Sequence, residues 1–149
     1  MSRCASAVLV LLLLTAACGG GNDSKSGDAK AATTTQSTAP PVTAEFGGVR
    51  GIVRGTSIAA EGLEVEVDDN YFRPNVIQGT ARQSVTLVLA SEGKSVHNFT
   101  LADQKVDVDI AAGQHASVKI TLPASGDLVF FCKYHKDESG MVGAFRVSA

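Results

Sequence analysis

The chain of 149 residues has a formal net charge of −2 and 19 % charged residues, a balance that excludes the basic surface a nucleic-acid binder needs. Its length fits one domain rather than two. Aromatics are 5 % with no Trp, and the informative residues are scarce ones: three Cys, three His and two Met. Three Cys cannot complete a disulfide framework, so each needs its own explanation.

The first element is an address. MSRCASAVLVLLLLTAACGGG opens with Arg3, runs apolar from Ala7 to Leu14, and leaves through the small residues Thr15, Ala16 and Ala17. Charged start, apolar middle and small-residue exit are the order of a signal peptide. The apolar run is well short of the ~20 residues of a spanning helix. The Gly-rich polar tail that follows carries no helical period, which argues against a buried helix. The exit LLTAAC resembles a bacterial lipobox, with Thr15 standing where many lipoboxes carry Leu. The resemblance implies that residues 1–17 are removed and that Cys18 is acylated as the new N-terminus. Ordinary secretion with a stray Cys18 thiol is the alternative. Each buried methylene of an acyl chain contributes about 0.8 kcal/mol, so several chains hold a protein firmly at a bilayer. The expected location is the extracytoplasmic face of a cell membrane, periplasmic or cell-surface.

Residues 19–45, GGGNDSKSGDAKAATTTQSTAPPVTAE, have no aromatic and almost no large aliphatic residue. Such a stretch cannot bury enough apolar surface to offset chain ordering and reads as a disordered tether. As a flexible coil it spans on the order of 30 Å. With Cys18 it forms the segment 18–45, which sets a domain at 46–149 off the membrane.

All six Phe and both Tyr lie after residue 45, so the core is there. The dominant period is two. Leu63, Val65 and Val67 alternate with Glu64, Glu66 and Asp68; Val106, Val108 and Ile110 with Asp107 and Asp109; Val118, Ile120 and Leu122 with Lys119 and Thr121. Each is a half-buried strand pattern. Ser84–Ala90 and Asp127–Cys132 are apolar on both faces, as central strands are. Turn residues punctuate at Asp69-Asn70, Ser91–Gly93, Ala112-Gly113, Pro123–Gly126 and Ser139-Gly140. Short strands at regular spacing predict an all-β sandwich or barrel of about seven or eight strands. There is no long helical pattern and no internal repeat.

The residues that carry chemistry cluster near the C-terminus in FFCKYHKDESGMVGAFRV. Cys132, His135 and Met141 fall within one strand–loop–strand unit, and His97 lies upstream on a strand whose Phe99 and Leu101 share its face. Two His, one Cys and a weak axial Met are the ligand list of a blue-copper site. Cys132 ends an apolar strand, which shields its sulfur, His135 follows in a turn, and Met141 heads the next strand. One thiolate is too few for a tetrahedral structural zinc, and catalytic zinc keeps an open position and uses harder ligands. Lys133 and Tyr134 supply no second loop Cys for a binuclear copper centre, and no C-x-x-C-H haem attachment, nucleophile elbow or phosphate loop is present. Taken singly, a buried Cys is an inert small hydrophobe. His115, in the turn AAGQH, reads as an exposed surface residue.

Over roughly residues 48–149 the sequence resembles the cupredoxins, particularly the plastocyanin-like small blue copper proteins. The resemblance rests on DNYFRPNVI, the VTLVLA strand, His97-Asn98-Phe99, and the Cys132–His135 loop closing with Gly140-Met141-Val142-Gly143. It implies a Greek-key sandwich and one copper ion held by His97, Cys132, His135 and Met141. It also implies that Asn98 ties the ligand strands together near the thiolate. The carbonyl of Val96 is a further group that can approach the metal. One departure stands out: the spacer Lys136–Gly140 has five residues, one more than is usual in that family.

A copper ion with four protein ligands has no open position for a substrate, so the expected role is a single-electron carrier and not an enzyme. Expected partners are transient redox proteins and, through Cys18, the lipid bilayer, with no nucleic acid and no small-molecule substrate; the protein is expected to be a monomer. His135 is the expected electron exit, among Met141, Val142 and Pro74, with Lys133, Lys136, Asp137 and Glu138 around it. The alternative function is a lipoprotein that sequesters or delivers copper, although such traffic favours several Met or Cys and this domain offers one of each. The three Cys then resolve into one removed with the signal peptide (Cys4), one anchor (Cys18) and one metal ligand (Cys132).

Overall fold

The computed structural model describes residues 41–148; the expected signal peptide (1–17), Cys18 and residues 19–40 of the expected tether lie outside the described residues. Among the described residues there are twelve strands. A short hairpin comes first, β1 (Thr43–Phe46) and β2 (Val49–Ile52), followed by β3 (Thr56–Ile58). Then come β4 (Leu63–Asp68), β5 (Tyr71–Arg73), β6 (Val76–Gly79) and β7 (Ser84–Ser91). The second half holds β8 (His97–Leu101), β9 (Val106–Ile110), β10 (His115–Thr121), β11 (Gly126–Phe131), a helical turn α1 (Lys136–Ser139) and β12 (Val142–Val147). The strands added to the expected seven or eight are mostly three or four residues long, too short to show a period. β1 takes in Thr43–Glu45, the last residues assigned to the tether, because its pairing with β2 carries Phe46 onto the sandwich.

Two sheets face each other. One has the order β10-β7-β4-β5 and the other β3-β6-β12-β11-β8-β9. Chain-consecutive strands cross repeatedly between sheets, so β4 lies parallel to β7, and β6 parallel to β12, while β7–β10, β11–β12 and β8–β9 are antiparallel. That is the expected all-β sandwich. The alternation read in the sequence faces the way the pattern demands: Val65 and Val67 of β4 and Leu87 and Leu89 of β7 are buried in the main core.

The floor of that core is aromatic. Phe72, Phe99, Phe130 and Phe145 are fully buried, with ring centroids 5.2 Å apart for Phe72–Phe130, 5.0 Å for Phe99–Phe130 and 5.1 Å for Phe130–Phe145. Rings at such spacings in edge or offset contact add about 0.5–1.5 kcal/mol per pair beyond their buried area. A second, smaller cluster explains why β11 is apolar on both faces. Phe46, Val76, Val142 and Ala144, with Val129 and Phe131 packed against them, form an apolar layer under the β1–β2 hairpin. Leu128, Phe130 and Cys132 point the other way, into the main core.

Candidate metal centre

β11 sits between β8 and β12 and runs antiparallel to both. The start of β8, the end of β11 and the start of β12 therefore lie at one end of the sandwich. His97 is the first residue of β8, Cys132 follows directly on β11, and Met141 directly precedes β12. Three positions separated in sequence thus come to one end of the sandwich by strand order, and His135 lies in the loop between two of them.

The metal-binding atoms of His97, Cys132 and His135 lie within 4.8 Å of one another. Cys132 Sγ is 3.4 Å from His135 Nδ1, and the His97 and His135 rings are 4.9 Å apart between centroids. Cys132 and His97 are buried, and His135 is half-buried. Among the described residues Cys132 is the free cysteine, and its neighbours on β11 sink it into the apolar core. Met141 is also fully buried in that core.

The loop between them is held by its own backbone. The Cys132 carbonyl accepts the N–H groups of His135 (3.1 Å) and Lys136 (2.9 Å). The Met141 carbonyl accepts the Cys132 N–H at 3.1 Å, and the His135 carbonyl accepts the Met141 N–H at 3.4 Å. The long spacer is absorbed by α1: Lys136–Ser139 make one helical turn, and Gly140, at φ 63, reverses the chain in the left-handed region. That region costs a non-glycine residue dearly. The extra residue thus coils up without displacing Met141 from the end of the loop.

Asn98 ties the segments of His97 and Cys132 together. Its side chain is fully buried; Nδ2 donates to Asp107 Oδ1 (2.7 Å) and Asp109 Oδ1 (2.8 Å), and Oδ1 accepts from the Thr100 hydroxyl and from the Lys133 N–H (3.4 Å). The residue after Cys132 is thereby bonded to the residue after His97. Lys133 closes the clamp from outside, with Nζ 2.8 Å from Asp107 and 3.0 Å from Asp109, while the Tyr134 hydroxyl donates to Asp109 at 3.0 Å. The Lys133 ammonium, with Asn98, holds Asp107 below the usual carboxylate range; Asn98 first and then Lys133 do the same to Asp109. The two carboxylates raise Lys133 in turn, and Asp109 raises Tyr134.

Two residues of the site carry only a turn signal in the sequence. Asp69 Oδ1 lies 3.2 Å from His97 Nε2 and accepts the Lys94 N–H at 3.0 Å. These contacts hold Asp69 below the usual carboxylate range, the His97 bond contributing most. An ionised carboxylate only accepts, so this contact calls for a proton on His97 Nε2. Gly93 packs over this pair: a Cβ there would stand 2.7 Å from Asp69 Oδ1 and 3.0 Å from His97 Nε2.

His97 Nδ1 is buried and has no hydrogen-bond partner. An orphaned buried polar atom costs about 1–3 kcal/mol, so native structures rarely keep one without a use. A cation that takes nitrogen and thiolate donors satisfies it. The structure thus brings together three of the four expected ligands as a metal-binding group, and it buries Met141 at the foot of the same loop.

Other expectations are corrected. Met141 and Val142 form no surface patch around His135: both are fully buried, Val142 beneath the β1–β2 hairpin, and Pro74 is half-buried. The exposed apolar residues next to ligands are instead Val96, 51 % exposed, and Tyr134, 46 % exposed. Lys133 is engaged by Asp107 and Asp109 rather than free to meet a partner. His115 is exposed, as expected.

Residues 51–143 match the family model described as a cupredoxin-like domain. The chain belongs to the cupredoxin family. A curated relative is the copper-resistant cuproprotein CopI of Pseudomonas aeruginosa, 42 % identical over 45 residues, which are 30 % of this chain and 25 % of that protein. The match thus spans about a quarter of the relative's length. Among solved structures, this cupredoxin is similar to auracyanin from Roseiflexus castenholzii, with a TM-score of 0.52 and 16 % identity over 61 % of this chain and 99 % of that one. It is also similar to the metal-binding domain of the Cu(I)-exporting P-type ATPase CopA of Streptococcus pneumoniae, with a TM-score of 0.51 and 12 % identity over 66 % and 100 % of the two chains. At these identities the likeness is one of fold. Family, fold and donor set agree on copper as the ion that His97, Cys132 and His135 are positioned to hold.

Proposed function

We propose that this cupredoxin is a type 1 (blue) copper protein that carries single electrons between redox proteins. In this reading it is a monomer, is not an enzyme, and sits at the extracytoplasmic face of a membrane through acylated Cys18. The observation that carries it is the grouping of buried His97, whose Nδ1 has no hydrogen-bond partner, with buried Cys132 and with His135, their ligand atoms within 4.8 Å of one another. Bound there, copper supplies one-electron chemistry between Cu(II) and Cu(I). The chain does the rest. Met141 completes the donors, the aromatic floor keeps water from the Cys132 sulfur, and the Asn98–Lys133 clamp and the loop hydrogen bonds fix the donors before metal arrives. Copper held by His97, Cys132 and His135 with Met141 would have its potential tuned by these donors and by the apolar surroundings of the Cys132 sulfur. His135 alone of the three donors is incompletely buried, so it is the exit for the electron. Val96 and Tyr134 beside the ligands offer a small apolar contact, and transient redox encounters need little more.

A second reading, sequestration or delivery of copper, is favoured by the similarity to a copper-resistant cuproprotein. One experiment separates the two. Purified protein is titrated with Cu(II) and followed by absorption, electron paramagnetic resonance and voltammetry. Electron carriage expects an intense blue thiolate-to-copper band, a reversible one-electron couple and copper kept on reduction. A colourless protein refutes the blue-copper reading; a blue one that sheds its ion on reduction supports handling. Anchoring is tested by metabolic labelling with a radioactive fatty acid, which Cys18→Ser should abolish.

A further inference from the structure

Asp69 reaches the metal centre by strand pairing, not by proximity in sequence. β4 lies parallel to β7 with Val67 opposite Ser91, and Glu92 N–H donates to the Val67 carbonyl at 3.0 Å. The turn after β4 and the loop after β7 are therefore side by side. In that corner Asp69 is oriented by the Lys94 backbone N–H, accepts from His97 Nε2, and is roofed by a glycine with no room for a side chain. The other ring nitrogen of His97 is the unpartnered one.

We propose that Asp69 is a positioning residue for the metal: it fixes the His97 tautomer that presents Nδ1, and its charge favours the doubly charged over the singly charged copper ion. The inference rests on the copper reading above. Any acceptor at this place, a backbone carbonyl or a water, would set the tautomer. Only a carboxylate also places a negative charge on the far side of the ring, raising the basicity of the donating nitrogen. A donor made more basic gains more against Cu(II) than against Cu(I). The Asp69 side chain is 42 % exposed, so water screens part of this charge and the effect falls at the low end of what outer partners of metal ligands produce.

The test uses Asp69→Asn, which keeps an acceptor oxygen without the charge, and Asp69→Ala, which removes both. On the ¹⁵N-labelled apo-protein, NMR should find His97 protonated at Nε2 in the wild type and in Asp69→Asn, and a mixture in Asp69→Ala. With copper, Asp69→Asn should lower the ratio of Cu(II) to Cu(I) affinity by about tenfold, which is a rise of about 59 mV in a one-electron couple. Asp69→Ala should further weaken Cu(II) uptake, within the roughly 10–100-fold range for lost partners of ligands. A merely structural role would weaken both ions alike and leave the ratio unchanged. The inference is overturned by a wild-type His97 protonated at Nδ1, or by an Asp69→Asn variant with the wild-type affinity ratio. Failure of the copper reading is a different result, a wild type that never turns blue, and the tautomer of the apo-protein is decided regardless.

Discussion

Asn75 is the side chain whose loss should cost the fold most per atom. It is 2 % exposed and bonds only to backbone: Nδ2 donates to the carbonyls of Ile52 (2.9 Å) and Val142 (3.2 Å), and Oδ1 accepts the Arg54 N–H at 2.7 Å. One amide thus joins the end of β2, the loop after it and the head of β12, one residue from Met141. Asn75→Ala removes all three bonds and leaves their partners short. At about 1 kcal/mol net per bond the loss is roughly 3 kcal/mol. The exposed strand end at Ile52 can find water, which lowers the figure, while the buried Val142 carbonyl cannot, which raises it. For a domain of this size 3 kcal/mol is a Tm drop of roughly 12–20 °C. Urea unfolding of the apo-protein, followed by circular dichroism, measures it. Gln78→Ala, an exposed position on β6, is the control and should stay within about 0.5 kcal/mol. A loss below about 1 kcal/mol for Asn75→Ala, with an unchanged urea slope, would refute the view that this side chain joins the three segments.

Met141→Leu should keep the fold, since a volume-conserving core exchange costs under ~1.5 kcal/mol, and should keep the blue band while raising the reduction potential; an unchanged potential removes Met141 from the ligand set. Gly93→Ala drives a methyl onto Asp69 and His97 and should weaken copper binding by about tenfold in a competition titration; wild-type affinity would show that the corner has slack. The acid limb of stability should report the Lys133 clamp. Asp107 and Asp109 are held below the usual carboxylate range, so their stabilisation is full above about pH 4, the unfolded value, and is lost as pH falls through the lower folded values. Lys133→Met should therefore differ from wild type at neutral pH and converge with it below about pH 4, in a plot of Tm against pH. The groups are at the surface, so added salt should narrow the neutral gap; a gap constant with pH contradicts the clamp.

Much of the fold was legible because β4, β9 and β10 each have one wet face, so Val65, Val67, Val118 and Ile120 alternate with charges. The central strand β11 was legible for the opposite reason, being covered on both sides, whereas Thr86 and Val88 on the outer face of β7 are only half-buried. β3, β5 and β6 were not, because three or four residues show no period, and the partners of β3 and β6 are remote in sequence. The candidate donors could be read from the spacing of Cys132, His135 and Met141, which lie close together in sequence around one loop. Asp69 could not: its meeting with His97 is made by the parallel pairing of β4 and β7, a tertiary fact that no local pattern encodes. The burial of Val142 was missed likewise, since the hairpin that covers it comes from the stretch read largely as tether.

The place of β12 in its sheet has a consequence for the order of assembly. It lies between β6 and β11, so without it the pair β3–β6 and the group β11–β8–β9 share no hydrogen bonds. Cys132, His135 and Met141 immediately precede that strand. His97 and Cys132 are already joined through β8 and β11, so in a chain delivered from its N-terminus the docking of the last described strand places Met141, and its non-local pairing with β6 closes slowly, in about milliseconds to seconds. The buried Met141 is then the last of the expected donors to be fixed.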